Sequence, residues 1–119
     1  MTKIQIKRIY DPVKPSDGFR VLVDKLWPRG ISKERADLDF WAKDIAPSAE
    51  LREAFHMGAD SWSAFEKAYR KELKDNPAVD DFIKLVKDKG MVTLLFASKE
   101  PEHNHAIVLA DVLRSELRQ

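Results

Sequence analysis

Two short stretches of this 119-residue chain concentrate the side chains that can do chemistry: Asp24, Trp27 and Arg29 in "VLVDKLWPRG", and Lys99, His103, Asn104 and His105 in "ASKEPEHNHA". In the first, Val21, Leu22 and Val23 run into a carboxylate that they do nothing to solvate. A carboxylate so placed either acts as a base or orients a ligand hydroxyl, or it accepts loop amides and pairs with Arg29. Arg29 follows a proline that stiffens its approach and precedes a glycine that lets the backbone turn closely. Its guanidinium is therefore a fork for a carboxylate or phosphate, unless Asp24 claims it. Trp27 either stacks on a ligand or closes over the core. Lys33 follows the helix-capping residue Ser32, near a helix start where an anion is favoured; the alternative is a solvated surface lysine.

In the second stretch Pro101 suits the first turn of a final helix, which puts His103, Asn104 and His105 near the positive end of its dipole. A cationic imidazole is disfavoured there, and a neutral one can donate to or accept from a ligand; a packed or surface role is the alternative. His103 and His105 are two apart, which on a helix throws them to different faces. They lack the i, i+4 arrangement of helical zinc ligands, and the chain has no cysteine, so neither a metal nor another cofactor is expected. The four glycines form no GxGxxG or GxxxxGK pattern, and no GxSxG elbow appears.

These residues need elements to hold them. "KIQIKRIY" alternates, with Ile4, Ile6 and Tyr10 on one side and Lys3, Gln5 and Lys7 on the other, as a peripheral strand with one wet face would. "DPVKPSDG", with two prolines, two aspartates and a glycine, reads as a loop. "FRVLVD" and "MVTLLFA" are nearly continuous apolar runs, the pattern of central strands buried on both faces. Between them the periodicity is helical. Asn76 caps a helix with Pro77 first, in which Val79, Phe82, Ile83 and Val86 recur until Gly90 stops it. Ser61 caps another, whose stripe of Trp62, Phe65, Tyr69 and Leu73 is assigned to packing. Ser48 opens a shorter one through Leu51 and Phe55. From Glu102 a long closing helix sets Ala106, Leu109, Ala110, Leu113 and Leu117 on one face.

Strands separated by helices argue a parallel sheet covered on both sides, and in such sheets ligands gather outside the carboxyl ends of the strands. Both chemistry-bearing stretches are then carboxyl-end loops. The composition fits a globular protein, with 44% hydrophobic and 34% charged residues and a formal net charge of +1. Lysines and arginines form no basic block, so a nucleic-acid partner is not expected, although a local patch is compatible with one. Without an apolar leader or a run of ~18 apolar residues, no membrane association is expected and the location reads as cytoplasmic.

Four ordered blocks, "VLVDKLWPRGISKE", "LDFWAKDIAPSAELR", "WSAFEKAYRKEL" and "VTLLFASKEPEHNHAIVLADVL", resemble the YeaO-like bacterial proteins, a branch of the larger domain of unknown function 488 group. The wider group is similar at an aspartate that ends a strand before a proline-containing loop, and at a Cys-His-Arg triplet that opens the last helix. Here the aspartate is Asp24, and the triplet positions hold Asn104, His105 and Ala106. No thiol-dependent role carries over, and the triplet's anion-binding arginine is missing, so Arg29 or Lys99 would have to supply the cation.

The reading that follows is an α/β chain, residues 1–119 as one domain, with a small, mainly parallel Rossmann-like sheet of about three to four strands flanked by helices. It is expected to bind a small anionic ligand, such as a nucleotide or phosphorylated metabolite, at the sheet's carboxyl edge. Arg29 and Lys99 would neutralise the anion, Asn104 would donate to it, and Trp27, Lys33 and His103 would complete the binding set. Asp24 and His105 are the acid–base candidates for a metal-independent hydrolysis or group transfer. The rival is a non-catalytic module that docks a protein or nucleic acid through the "WPRG" loop, with Trp27 and Arg29 as anchors.

Overall fold

The computed structural model describes residues 2–56, 58 and 61–118. Four strands form one sheet in the order β1-β4-β2-β3, all parallel: β1 Lys3–Arg8, β2 Phe19–Leu22, β3 Phe40–Trp41 and β4 Met91–Phe96. The two apolar runs are the central pair, in register from Phe19↔Val92 to Leu22↔Leu95, with the alternating β1 at one edge. The other edge strand, β3, is two residues long and carries no alternation that a sequence could display. Five helices accompany the sheet: α1 Lys33–Ala36, α2 Ala49–His56, α3 Trp62–Lys74, α4 Pro77–Val86 and α5 His105–Leu117.

The period of two along each strand sorts side chains cleanly onto two faces. Ile4, Val21, Val23, Val92, Leu94 and Phe96 join the main apolar cluster, against Phe65, Tyr69, Leu73, Phe82, Leu109 and Leu113 from the helices. Helix α5 packs on β1 and β4, and α3 and α4 pack behind it. The opposite face is covered differently from the expected second layer of helices. A small cluster of Ile9, Leu22, Ile31, Ala36 and Leu95 is roofed by Trp27, Leu38 and Trp41, with α1 contributing a single turn. Beside it the same face is polar, with Arg20 and Thr93 buried. Thr93 Oγ1 donates to Asp17 O at 2.6 Å and accepts from Gln5 Nε2 at 2.7 Å, so the buried groups satisfy one another.

The chain enters β2 through Gly18, whose φ of +65° a side chain rarely adopts; a Cβ there would lie 2.5 Å from the carbonyl oxygen of Met91. Only glycine lets the two central strands start this close. Helices α3 and α4 begin as the caps predict, Ser61 Oγ accepting from Ala64 N and Asn76 Oδ1 from Ala78 N. Helix α5 does not begin at Glu102. Residues 101–104 form bends, and Asn104, extended at φ −132°, caps the helix by accepting from Ile107 N. An asparagine side chain outcompetes Pro101 as the start because it satisfies a helix-end amide, which proline cannot do. Trp62 heads its stripe only half-buried, with Phe65, Tyr69 and Leu73 fully inside.

Candidate functional site

Beyond the carboxyl ends of β2 and β4 lies a cavity of about 340 Å³, open to one side. Its walls come from four places: Tyr10 after β1, residues 24–29 after β2, Ala97 and Ser98 after β4 with His105 at the start of α5, and Pro47, Arg52, Phe55 and Phe65 from the α2 and α3 side.

The loop after β2 is fixed by hydrogen bonds that close on its backbone. Trp41 Nε1 donates to Asp24 O at 2.8 Å, Trp27 Nε1 to Ile31 O at 2.6 Å, and Tyr10 Oη to Arg29 O at 2.8 Å. The two indoles meet edge to face, 5.4 Å between centroids, and Pro28 is buried beneath them. Gly30, at φ +78°, then reverses the chain. So tethered, the backbone of Arg29 is held while its side chain stands exposed at the cavity. The loop after β4 is anchored in turn by Arg8, whose Nε donates to Ser98 O at 2.9 Å and Nη2 to Ala97 O at 3.2 Å.

Asp24 and His105 meet in the cavity lining. Asp24 Oδ2 accepts from Ala97 N at 2.9 Å, which joins the ends of the two central strands. His105 Nε2 lies 2.9 Å from Asp24 Oδ1 and 3.0 Å from Val23 O. A carbonyl oxygen only accepts, so in this contact Nε2 carries the proton, and one N–H cannot aim at both oxygens. The bond goes to the carbonyl, and Asp24 Oδ1 is left buried with no hydrogen bond. The carboxylate–imidazole pair is thus an ionic neighbour pair when His105 is protonated, while both groups also tie backbone together.

Sequence reasoning missed Arg52. Its Nε is buried without a hydrogen bond, and among the described residues its guanidinium pairs with no carboxylate. Arg29 likewise has no ion pair there, and Asp24 is matched with His105 instead. With Lys25, three cations therefore line one cavity against a single carboxylate, and that carboxylate already has a partner. No local signal marked Arg52: an arginine on the flank of an apolar helix stripe ordinarily lays its stem on the stripe and keeps its head in water, and only contacts between distant segments bring it to the cavity.

Of the eight residues singled out, Asp24, Trp27, Arg29 and His105 line this cavity, and the other four do not. Asn104 is buried and spends its side chain on the helix cap and on Glu100 O, 2.8 Å away. His103 is exposed and stacks on Trp62 at 4.9 Å. Lys99 is exposed to solvent. Lys33 borders a separate depression with Leu38 and Phe40. No three His, Cys, Asp or Glu side chains gather in a metal-ligating group among the described residues, and no helix there is long and apolar enough to cross a membrane.

Comparison with known proteins gives a consistent assignment. The family described as the inactive DUF488-N3 subclade matches residues 3–119. The uncharacterised protein YeaO of Escherichia coli (strain K12) is 47% identical over 112 residues, covering 94% of this chain and 97% of its own. Uncharacterised proteins of Mycobacterium bovis and Mycobacterium tuberculosis are each 39% identical over 112 residues, 94% of both chains. No solved structure matches.

Proposed function

The chain belongs to the inactive DUF488-N3 subclade, and from that premise we propose that it is a cytoplasmic binding protein for a small anion, a nucleotide or phosphorylated metabolite, held in the carboxyl-edge cavity without being chemically changed. The observation that carries this reading is Arg52, half-buried with its Nε out of water and without a hydrogen bond, which lines the cavity together with Arg29 and Lys25 and has no counter-ion among the described residues. Cations that share one cavity repel one another, and a guanidinium nitrogen that has surrendered water without a partner is under-satisfied. An anion repairs both conditions at once through charge-assisted hydrogen bonds. Binding fits better than catalysis because the acid–base candidates are already engaged: His105 Nε2 with Val23 O, and Asp24 with Ala97 N. The positions of the wider group's cysteine and arginine hold a helix cap, Asn104, and a fully buried apolar residue, Ala106.

The test is a thermal-melting screen against nucleotides, sugar phosphates and carboxylates. A ligand that binds only the folded state adds RT ln(1 + [L]/Kd), ~2.7 kcal/mol at a hundredfold excess over Kd. The expected result is a rise in midpoint for the parent chain that Arg52→Ala and Arg29→Ala diminish. No rise with any anion, or the same rise in both variants, would overturn the proposal. Turnover of a bound compound that Asp24→Asn abolishes would instead establish the hydrolase or transferase reading.

A further inference from the structure

The same cavity says more about the ligand than its charge. Resting on the anion-binding reading, we infer that the ligand is an aromatic anion: a flat ring, seated between the residue 26–28 loop and the phenylalanines of α2 and α3, that bears one carboxylate or phosphate directed to Arg52 and Arg29.

Most of the lining is apolar and much of it flat. Phe55 and the buried Phe65, 4.8 Å between centroids, line the cavity from α2 and α3, and Leu26, Trp27 and the buried Pro28 line it from the loop after β2. Leu26 is 65% exposed, the most exposed of the large apolar residues among the described positions, and it borders the cavity mouth. A bare phosphate or acetate would leave the solvent-facing parts of Leu26, Trp27 and Phe55 wet and would fill little of 340 Å³. A ligand with an apolar body removes them from water, which is the larger gain. The aromatic wall then favours a ring over an aliphatic body of equal size. Phe55 and Phe65 already belong to a series of tilted and stacked aromatic contacts that continues through Trp62 to His103 on one side and Tyr69 on the other. A ligand ring would extend that series with the offset or edge contacts such rings prefer. The charged group of the ligand is assigned to the cations that residues 25, 29 and 52 bring to the lining.

The experiment is a titration of the isotopically labelled chain, followed by the Trp27 indole N–H and the surrounding amides, with six probes: inorganic phosphate, acetate, phenyl phosphate, benzoate, cyclohexanecarboxylate and benzyl alcohol. Phenyl phosphate is expected to bind at least about tenfold more tightly than inorganic phosphate, or benzoate than acetate, and benzoate more tightly than cyclohexanecarboxylate. Which of the two pairs separates more widely identifies the anion. Phe55→Leu, which keeps apolar bulk and removes the ring face, should erase the aromatic advantage and leave inorganic phosphate unaffected. Inorganic phosphate equal to phenyl phosphate together with acetate equal to benzoate, or cyclohexanecarboxylate equal to benzoate, overturns the aromatic inference while anion binding stands. Benzyl alcohol equal to benzoate removes the role of charge and overturns the anion reading itself. Absence of binding by every probe, or binding that leaves Trp27 unmoved, overturns both.

Discussion

Asp17 stands just before β2 and Asp24 just after it, so one short strand carries a carboxylate at each end. Asp17 is 2% exposed, and both of its oxygens are occupied. Lys7 Nζ donates to Oδ1 at 2.9 Å, while Oδ2 accepts from Arg20 Nη1 at 2.6 Å and from Lys14 N at 3.0 Å. Arg20 in turn spends its remaining donors on the carbonyls of Ala36 and Asp37. At the other end Asp24 holds one amide and leaves Oδ1 without a hydrogen bond, and the nearby Arg52 keeps a buried Nε unmatched. A closed network of this kind fixes backbone and offers nothing to a ligand. The open one leaves the Arg52 Nε without a hydrogen bond or counter-ion among the described residues, and it is this cation, rather than the His105-paired Asp24, on which the proposed anion site rests. Burial of a charged group is therefore a poor guide to function; unsatisfied valence separates the two ends of the strand.

The sharpest way to break this contrast is to open the closed end. Asp17→Ala leaves the Arg20 guanidinium buried and unpaired, and should cost ~3–5 kcal/mol in denaturant unfolding or abolish folding outright. A loss below ~1 kcal/mol would mean that the network is no more structural than the Asp24 site.

Acid should expose the same difference. Burial pushes the Asp17 carboxyl up, but the Lys14 amide and the Lys7 and Arg20 side chains outweigh it and hold the group below its ordinary value of 3.8. Folding thus favours the ionised form. The stability it contributes is present above the unfolded-state value and disappears as pH falls through the lower folded one. Melting midpoints of the parent chain should drop steeply below about pH 4. The gap to Asp17→Asn should narrow over the same interval; a gap that stays constant would remove the carboxylate from the explanation.

At the open end the effect should be smaller. Asp24→Ala removes the acceptor for Ala97 N, which should cost ~1–3 kcal/mol. In a double-mutant cycle with His105→Ala the two losses should be less than additive, because both residues clamp the ends of β2 and β4 to α5. Strict additivity would show that their 2.9 Å approach carries no energy.

Smallest of all should be the change in stability on removing a cavity cation. Arg52→Ala and Arg29→Ala should each shift unfolding by no more than ~0.5 kcal/mol, as surface-type substitutions do, while eliminating most of any anion-induced stabilisation. A large loss for Arg52→Ala would place it with Asp17 as a structural charge.

Much of this was legible in the sequence because local chemistry decided it. The runs "FRVLVD" and "MVTLLFA" read as interior strands because they are short, rich in branched apolar residues on both faces and separated by helical segments. Ser61 and Asn76 mark helix starts because a helix end must find acceptors for its amides wherever it lies. That the aspartate and arginine after β2 line a carboxyl-edge cavity was visible because a strand-to-loop transition is a local event. What only the tertiary structure decided are the partnerships across distance. Nothing near Asp17 in the chain announces that Lys7 and Arg20 will enclose it, nor does position 52 reveal that its arginine will stand beside Arg29 without a counter-ion. Strand β3 is held by its neighbour β2 rather than by any pattern of its own. Asn104, chosen for a ligand, turned to the helix cap because a side chain serves the nearest unsatisfied amide first. Residue types and spacing fix what each group can bond; whether a bond is already spent depends on contacts between segments tens of residues apart, and that alone separates a scaffold charge from one left for a ligand.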